Sequence, residues 1–458
     1  MSAARSQRLL DPLFTTEKMH DIFSDHGRLQ GMLDFEAALA RAEVQTGILP
    51  AKAASTIAAQ CHAGSYDLEA LGNASALAGN PAIPLVRELT ARVAARDGEA
   101  ARFVHWGATS QDAMDTGLVL QLRAALDTIA ADLARLAAAL ASLAQKHART
   151  PLAGRTWLQQ GPPVTLGLKA AGWLSAVDRH RTRTAQVRTD VATLQFGGAV
   201  GTLAALGEQG MDVATALAAE LNLALPDLPW HAQRDRVAAV ATTLGLLVGT
   251  LGKIARDVSL LMQTEIAEAL EPTGPGRGGS STMPHKRNPV GSAVILAAAA
   301  RVPSLVAIML GAMVQEHERG LGGWHAEWET LPEICLITAG ALARTIEIIG
   351  GLEVDRKKMA ADLDATRGLI MAEAVSIALA AHLGRQSAHE LVESACRVAV
   401  REKKHLRDVL AADARVKKHL SDAALDRALD PARYTGQAEG FVARTLAARG
   451  EKPRRKKS

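Results

Sequence analysis

Hydrophobic positions recur at three- and four-residue steps along most of the chain, and this period predicts helices. The stretch "LQGMLDFEAALARAEVQTG" (29–47) carries such a stripe and ends on Gly47, a residue suited to a helix C-cap. Residues 118–148 contain neither Gly nor Pro. At 1.5 Å per residue they predict a helix on the order of 45 Å long. Similar apolar runs cover 237–270 and 288–316, the second interrupted by Pro303. These runs are apolar on more than one face, so they belong inside a bundle or between subunits. No run alternates convincingly with period two, which disfavours a sheet-based fold. Gly- and Pro-containing punctuation near 105–112 and 350–355 divides the chain. The short, charged, amphipathic stretch 400–420 predicts a small helical cap.

Composition narrows the picture. The chain has 458 residues, 48% hydrophobic and 22% charged, which suffices for a large core. Only 3% are aromatic, so packing relies on Ala and Leu, as in closely packed helices. The net charge of +4 is local: the last ten residues hold six Lys or Arg and one Glu, a contribution of +5 that leaves −1 for the rest. Such a tail reads as a solvated terminus before it reads as a nucleic-acid arm. Cys61, Cys335 and Cys396 lack metal-ligand spacing and do not suggest a disulfide framework, which fits a reducing compartment. No charge-free apolar segment of ~20 residues is present and the N-terminus does not resemble a signal peptide. The expectation is a soluble, cytoplasmic protein with neither membrane nor nucleic acid as partner.

The richest candidate chemistry is "GRGGSSTMPHKRNP" (276–289). Gly276, Gly278 and Gly279 allow hinge motion, and Ser280 and Ser281 expose hydroxyls. Pro284 stiffens the chain before Lys286 and Asn288, which open the next long helix, whose positive end would favour an anion. Such a loop suits closure over a carboxylate and stabilisation of an enolate-like intermediate. A phosphate loop needs different spacing and a preceding strand, and a plain Gly-Ser connector would not need the Met-Pro-x-Lys-x-Asn continuation.

This loop resembles the G-S-S-x-M-P-x-K-x-N signature of the fumarase/aspartase superfamily, which includes adenylosuccinate and argininosuccinate lyases. "VHWGATSQDAMDT" (104–116) resembles its T-S-x-D region and "GRTWLQQGPPVTLG" (154–167) its T-H-x-Q region. "GGAVGT" (197–202) resembles another active-site loop, and "DPARYTGQAEGFVART" (430–445) the C-terminal module of the adenylosuccinate lyase branch. The resemblance implies an all-α, three-domain L-aspartase/fumarase-like fold with a long central helix bundle that tetramerises. Its parts would be an N-terminal helical domain (1–110), the central bundle (111–353) with the signature loop (274–290), a C-terminal helical domain (354–448) and a basic tail (449–458). It also implies a homotetramer whose active sites are shared between subunits, and chemistry next to a carboxylate without cofactor or metal. Ser280 maps to the family's catalytic acid/base, with Lys286 as the competing proton donor. Thr109, Ser110, Gln159, Lys286 and Asn288 map to carboxylate contacts. Ser281, Met283, His105, Arg319 and Trp157 complete the implied substrate-binding set, although a packed, hydrogen-bonded His105 remains open. His285, at a variable position of the signature, reads as solvated.

Two departures from the pattern are informative. Most of the superfamily pairs a histidine of T-H-x-Q with a glutamate five residues after the signature Asn; here these positions are Trp157 and Ala293. Expelling an amine or hydroxide requires proton management at the leaving atom, whereas a carboxylate is already ionised at neutral pH. An intramolecular carboxylate needs positioning and one proton delivered to carbon, which describes lactonisation. The second departure follows "EHERG" (316–320): where adenylosuccinate lyases hold a nucleotide with Ser and Arg, this chain has Trp324 and Trp328. Two indoles cannot neutralise a phosphate dianion. Together these features resemble the lactonising cycloisomerase branch of the superfamily, acting on a small tricarboxylate. The alternatives are an adenylosuccinate lyase-type β-elimination, a non-catalytic structural protein on the same scaffold, and nucleic-acid binding through "KPRRKKS".

Overall fold

The computed structural model describes residues 9–274, 276, 278, 279, 283 and 285–449. Six helices matter most for the site: α1 (Asp25–Gln45), α2 (Ser110–Lys146), α3 (Leu166–Val191), α4 (Asp235–Leu261), α5 (Val290–Gly311) and α6 (Gly323–Gly350). The all-α expectation therefore holds. α1 ends as its sequence predicts: Gly47 has φ +79 and donates to the Val44 carbonyl, while Ile48 donates to that of Glu43. This pair of bonds is a Schellman closure, and a residue with a Cβ would adopt that backbone at a cost.

Three details differ from the sequence expectation. The run 237–270 leaves the helix at Leu261, and Ala269–Leu270 form a strand (β3) paired antiparallel with Glu353–Val354 (β4). The diversion is anchored by Glu268, whose buried carboxylate takes two bonds, of 2.8 and 3.0 Å, from the Arg155 guanidinium. Pro303 does not interrupt its helix, which continues to Gly311 with Pro303 exposed. Finally, Pro151–Thr156 (β1) and Gln159–Thr165 (β2) form an antiparallel hairpin with a register shift between Ala153 and Gly154.

The chain divides into two compact units. The first comprises Met1–Ala134, Arg179–Gly252 and Val294–Arg344; the second comprises Arg135–Asp178, Lys253–Ala293 and Thr345–Ser458. Each of the helices α2 to α6 contributes a segment to both. In the first unit, Leu29, Leu33, Ile57, Leu85 and Leu89 belong to a core of small and aliphatic side chains. There α1 crosses the start of α2 at Gly31 and Gly117, where an added Cβ on either would lie 2.9 Å from the other backbone. In the second unit, Val375, Leu379, Leu406 and Leu410 anchor a separate core built by the short C-terminal helices.

α4 and α5 are, by length and composition, apolar enough to cross a membrane, which the sequence criterion of a charge-free run had excluded. One or two charged residues break such a run while leaving the helix strongly apolar. In α4, 56% of the apolar window is buried inside the chain, as in a core helix, whereas in α5 only 22% is.

Candidate active site

In the first unit the site is organised by the start of α2. The chain reaches it through a turn in which His105 (φ +61) and Gly107 (φ +73) both have left-handed backbones. Asp112 then reaches back to the Thr109 N–H at 3.0 Å, closing the first helical turn. The same carboxylate is fully buried and accepts from the Gly197 and Gly198 N–H groups, Gln195 Nε2 and His231 Nε2 at 2.7–3.1 Å. One side chain thus joins the T-S-x-D turn to the "GGAVGT" loop. A buried carboxylate persists only when its oxygens are satisfied in this way.

Arg319 completes the arrangement. Its guanidinium donates to Thr109 Oγ1 (2.9 Å), Gln111 Oε1 (3.2 Å) and Ser110 Oγ (3.4 Å). Three residues predicted from sequence, Thr109, Ser110 and Arg319, are therefore brought together across two hundred positions. Both hydroxyls accept from Arg319 and keep their own protons to donate. An arriving carboxylate would meet a planar cation, two hydroxyl donors and the positive end of a long helix.

Behind this cluster, Gln111 Nε2 donates to Asp115 Oδ2 at 3.0 Å, linking Arg319 to a buried ionic group. Arg234 is bound by Asp115 at 2.7 and 3.0 Å and by Glu327 at 2.5 Å. Burial alone would lower its pKa, but the two carboxylates outweigh that effect and raise it, so Arg234 stays charged. Trp324 belongs to this network: it is 6% exposed, donates its indole N–H to Asp115 at 3.0 Å and meets Trp328 edge-on at 4.9 Å. Trp324 is thus a core residue whose polar atom is held by Asp115.

The remaining predicted residues lie in the second unit. Trp157 and Leu158 form the tip of the β1–β2 hairpin, are 98% and 77% exposed, and both have positive φ. Gln159 opens β2 opposite Thr156 and is exposed. In the signature loop, the Asn288 N–H donates to the Gly278 carbonyl at 3.0 Å and the Lys286 N–H to that of Met283 at 3.0 Å. The Lys286, Met283 and His285 side chains are exposed, whereas Ser280 and Ser281 lie outside the described residues. Arg287 holds the base of the loop through the Glu271 carbonyl (2.7 Å) and Glu353 (2.9 Å), and keeps the Glu353 carboxyl below its ordinary range.

The positive end of α5 is not open to an external anion. Buried Glu271 accepts from the Gly291 N–H (2.9 Å), the Ser292 N–H (2.7 Å) and Ser292 Oγ (2.6 Å). This overturns the expectation that the helix following the loop offers its N-terminus to substrate, since a carboxylate of the chain already satisfies it. Sequence reasoning also missed Gln111, His231 and Glu271, whose roles have no local signature. Asp112 was visible only as the Asp of T-S-x-D. Among the described residues no group of three His, Cys, Asp or Glu could hold a metal ion.

A long-helix chain with this Arg–Thr–Ser cluster and the G-S-S-x-M-P-x-K-x-N loop has the build of an all-α lyase-type enzyme. The family described as "Lyase" matches residues 14–304, and "Adenylosuccinate lyase C-terminus" matches 368–445. The chain belongs to this lyase family. It is 61% identical to 3-carboxy-cis,cis-muconate cycloisomerase of Pseudomonas aeruginosa, over 98% of this chain and 97% of that protein. The crystal structure of 3-carboxy-cis,cis-muconate lactonizing enzyme from Pseudomonas putida superposes with a TM-score of 0.93 at 57% identity, covering 96% of this chain and 98% of that one. That of beta-carboxy-cis,cis-muconate cycloisomerase from Acinetobacter calcoaceticus gives 0.92 at 44% identity, covering 96% and 100%.

Proposed function

We propose that the chain converts 3-carboxy-cis,cis-muconate to 4-carboxymuconolactone, a step of protocatechuate breakdown by the β-ketoadipate pathway. One substrate carboxylate oxygen forms a bond to an alkene carbon. The π-electron pair moves toward the carbon next to a second carboxylate, giving an aci-carboxylate, and a proton delivered to that carbon completes the isomerisation. Arg319 carries this proposal: its guanidinium, seated on Thr109 and Ser110, supplies charge where the reaction accumulates it. Trp157 and Ala293 stand where a His–Glu couple would serve a protonated leaving group, and lactonisation needs no such couple.

Ser280 is the proposed proton donor, with Lys286 as the competing one, and Lys286 and Asn288 assist in holding carboxylates. His105, Gln159, Ser281, Met283 and Trp157 are the further proposed substrate contacts. The working unit is a homotetramer with shared sites, and each chain retains the three-part division at 110, 353 and 448. The largely uncovered apolar face of α5 and the exposed indole at the hairpin tip support this assembly. The three free cysteines accord with a cytoplasmic setting.

The test is loss of the conjugated-diene absorbance of 3-carboxy-cis,cis-muconate on adding purified protein. Turnover is expected. Its absence, together with turnover of adenylosuccinate, would overturn the proposal.

A further inference from the structure

His105 and Glu36 form a contact that the reaction as proposed does not use. His105 Nδ1 lies 2.6 Å from Glu36 Oε1, and this is the ring's only hydrogen bond among the described residues. With a carboxylate as acceptor, Nδ1 carries the hydrogen and Nε2 faces away from Glu36. The His105 side chain is 15% exposed, while Glu36 is 2% exposed and its Oε2 has no partner. Burying a half-satisfied carboxylate is costly, and a purely structural role would be served by a neutral amide.

Neighbouring groups leave that charge to the histidine. Glu43, seven residues along the same helix, is fully buried with neither oxygen partnered, and burial together with the nearby Glu36 pushes its carboxyl up to about 8. Cys61 and Tyr66, which also feel Glu36, are raised by burial and stay neutral. From α2, Asp112 adds a second, weaker negative influence on the ring. Burial opposes a charge on His105, but Glu36 and Asp112 outweigh it and its pKa is raised. The geometry is held by the Gly31–Gly117 crossing, which sets α1 against the start of α2, and by the left-handed backbone of His105. Strain of that kind in a turn next to Thr109 and Ser110 marks a position where the ring's direction matters.

We infer that Glu36 is a positioning residue: it fixes the His105 ring so that Nε2–H is presented to a carboxylate of the substrate. This rests on the proposed role of His105 as a substrate contact. Glu36 itself touches no substrate and acts through the ring.

The test uses the full-length enzyme with 3-carboxy-cis,cis-muconate and the variants Glu36→Gln, His105→Asn and their combination. Wild-type turnover is the control for the function itself. Glu36→Gln is expected to raise KM about tenfold or more while kcat changes less than about threefold. The pH at which KM begins to climb should move lower, because the ring loses the partner that favours its charge. In the His105→Asn background, Glu36→Gln should change KM less than about twofold. An equal KM effect in both backgrounds, or an unmoved pH profile, overturns the inference. An unchanged KM in His105→Asn alone overturns the role of His105 and this inference with it, while leaving the lactonisation intact. Should Glu36→Gln fail to fold, Glu36→Asp carries the test: an intermediate KM with the break moved to lower pH supports it, and wild-type values overturn it.

Discussion

Glu43→Gln is the sharpest probe of the buried carboxylates on α1. The Glu43 side chain is wholly enclosed, neither of its oxygens has a partner, and Glu36 lies on the same helix face. Burial first, and the Glu36 charge second, push its carboxyl from the ordinary 4.5 up to about 8. Between these values the folded chain holds a proton that the unfolded chain has released. Stability contributed by the neutral form is therefore fully present below 4.5, falls as pH rises, and levels off above about 8. At about 1.4 kcal/mol per pKa unit, the loss between pH 4.5 and 7 is on the order of 3 kcal/mol. Replacing the carboxyl by an amide of the same shape removes this titration but leaves a buried amide to satisfy, so the pH dependence is more telling than the absolute stability. Urea unfolding followed by circular dichroism at pH 5, 7 and 8.5, at one protein concentration, measures the difference. The wild type should lose about 4 kcal/mol more than the variant across this wider range, which spans some three pKa units of the window. Parallel pH profiles, within about 0.5 kcal/mol, would refute the reasoning.

Arg319→Lys replaces a fork that reaches three oxygens with a point charge, and steady-state kinetics should show KM rising about 10- to 100-fold. Arg234→Met leaves Asp115 and Glu327 buried without their cation, and denaturant titration should record a loss of about 3–5 kcal/mol. Ser280→Ala should abolish turnover in the diene assay while gel filtration shows the assembly unchanged; near-wild-type activity would transfer the proton to Lys286.

The parts of the site that could be seen in the chain are those with local signatures. Thr109, Ser110 and Asp112 fall within one short segment whose likeness to the T-S-x-D region singled them out, and the structure shows that segment to be a capped helical start. The signature loop is equally compact, and Arg319 was reachable only through likeness to a family, since nothing near it in the chain indicates Thr109. The β1–β2 hairpin escaped detection for a physical reason. Its strands contain Gly154, Gly161 and a Pro162–Pro163 pair, and its tip uses Trp157 and Leu158 with positive φ where Asn-Gly is the usual choice. Each of these choices works against an isolated hairpin, so packing against the rest of its unit must compensate. The fate of the α5 N-terminus was hidden as well: an open helix end and one capped by Glu271, some twenty residues upstream, look alike in sequence.

Helical period and long uninterrupted runs are properties of neighbouring residues and were sufficient to indicate an all-α chain, while the likeness of short segments such as 276–289 to a family's motifs indicated a lyase relative, with Trp157 and Ala293 as departures from its pattern. Which side chain meets which is a different kind of quantity. Arg319 on Thr109, Glu36 on His105, Trp324 on Asp115 and Glu271 on Ser292 each depend on where whole helices come to rest. Those positions are set by close contacts such as Gly31 against Gly117, summed over the core, and only the tertiary structure decides them.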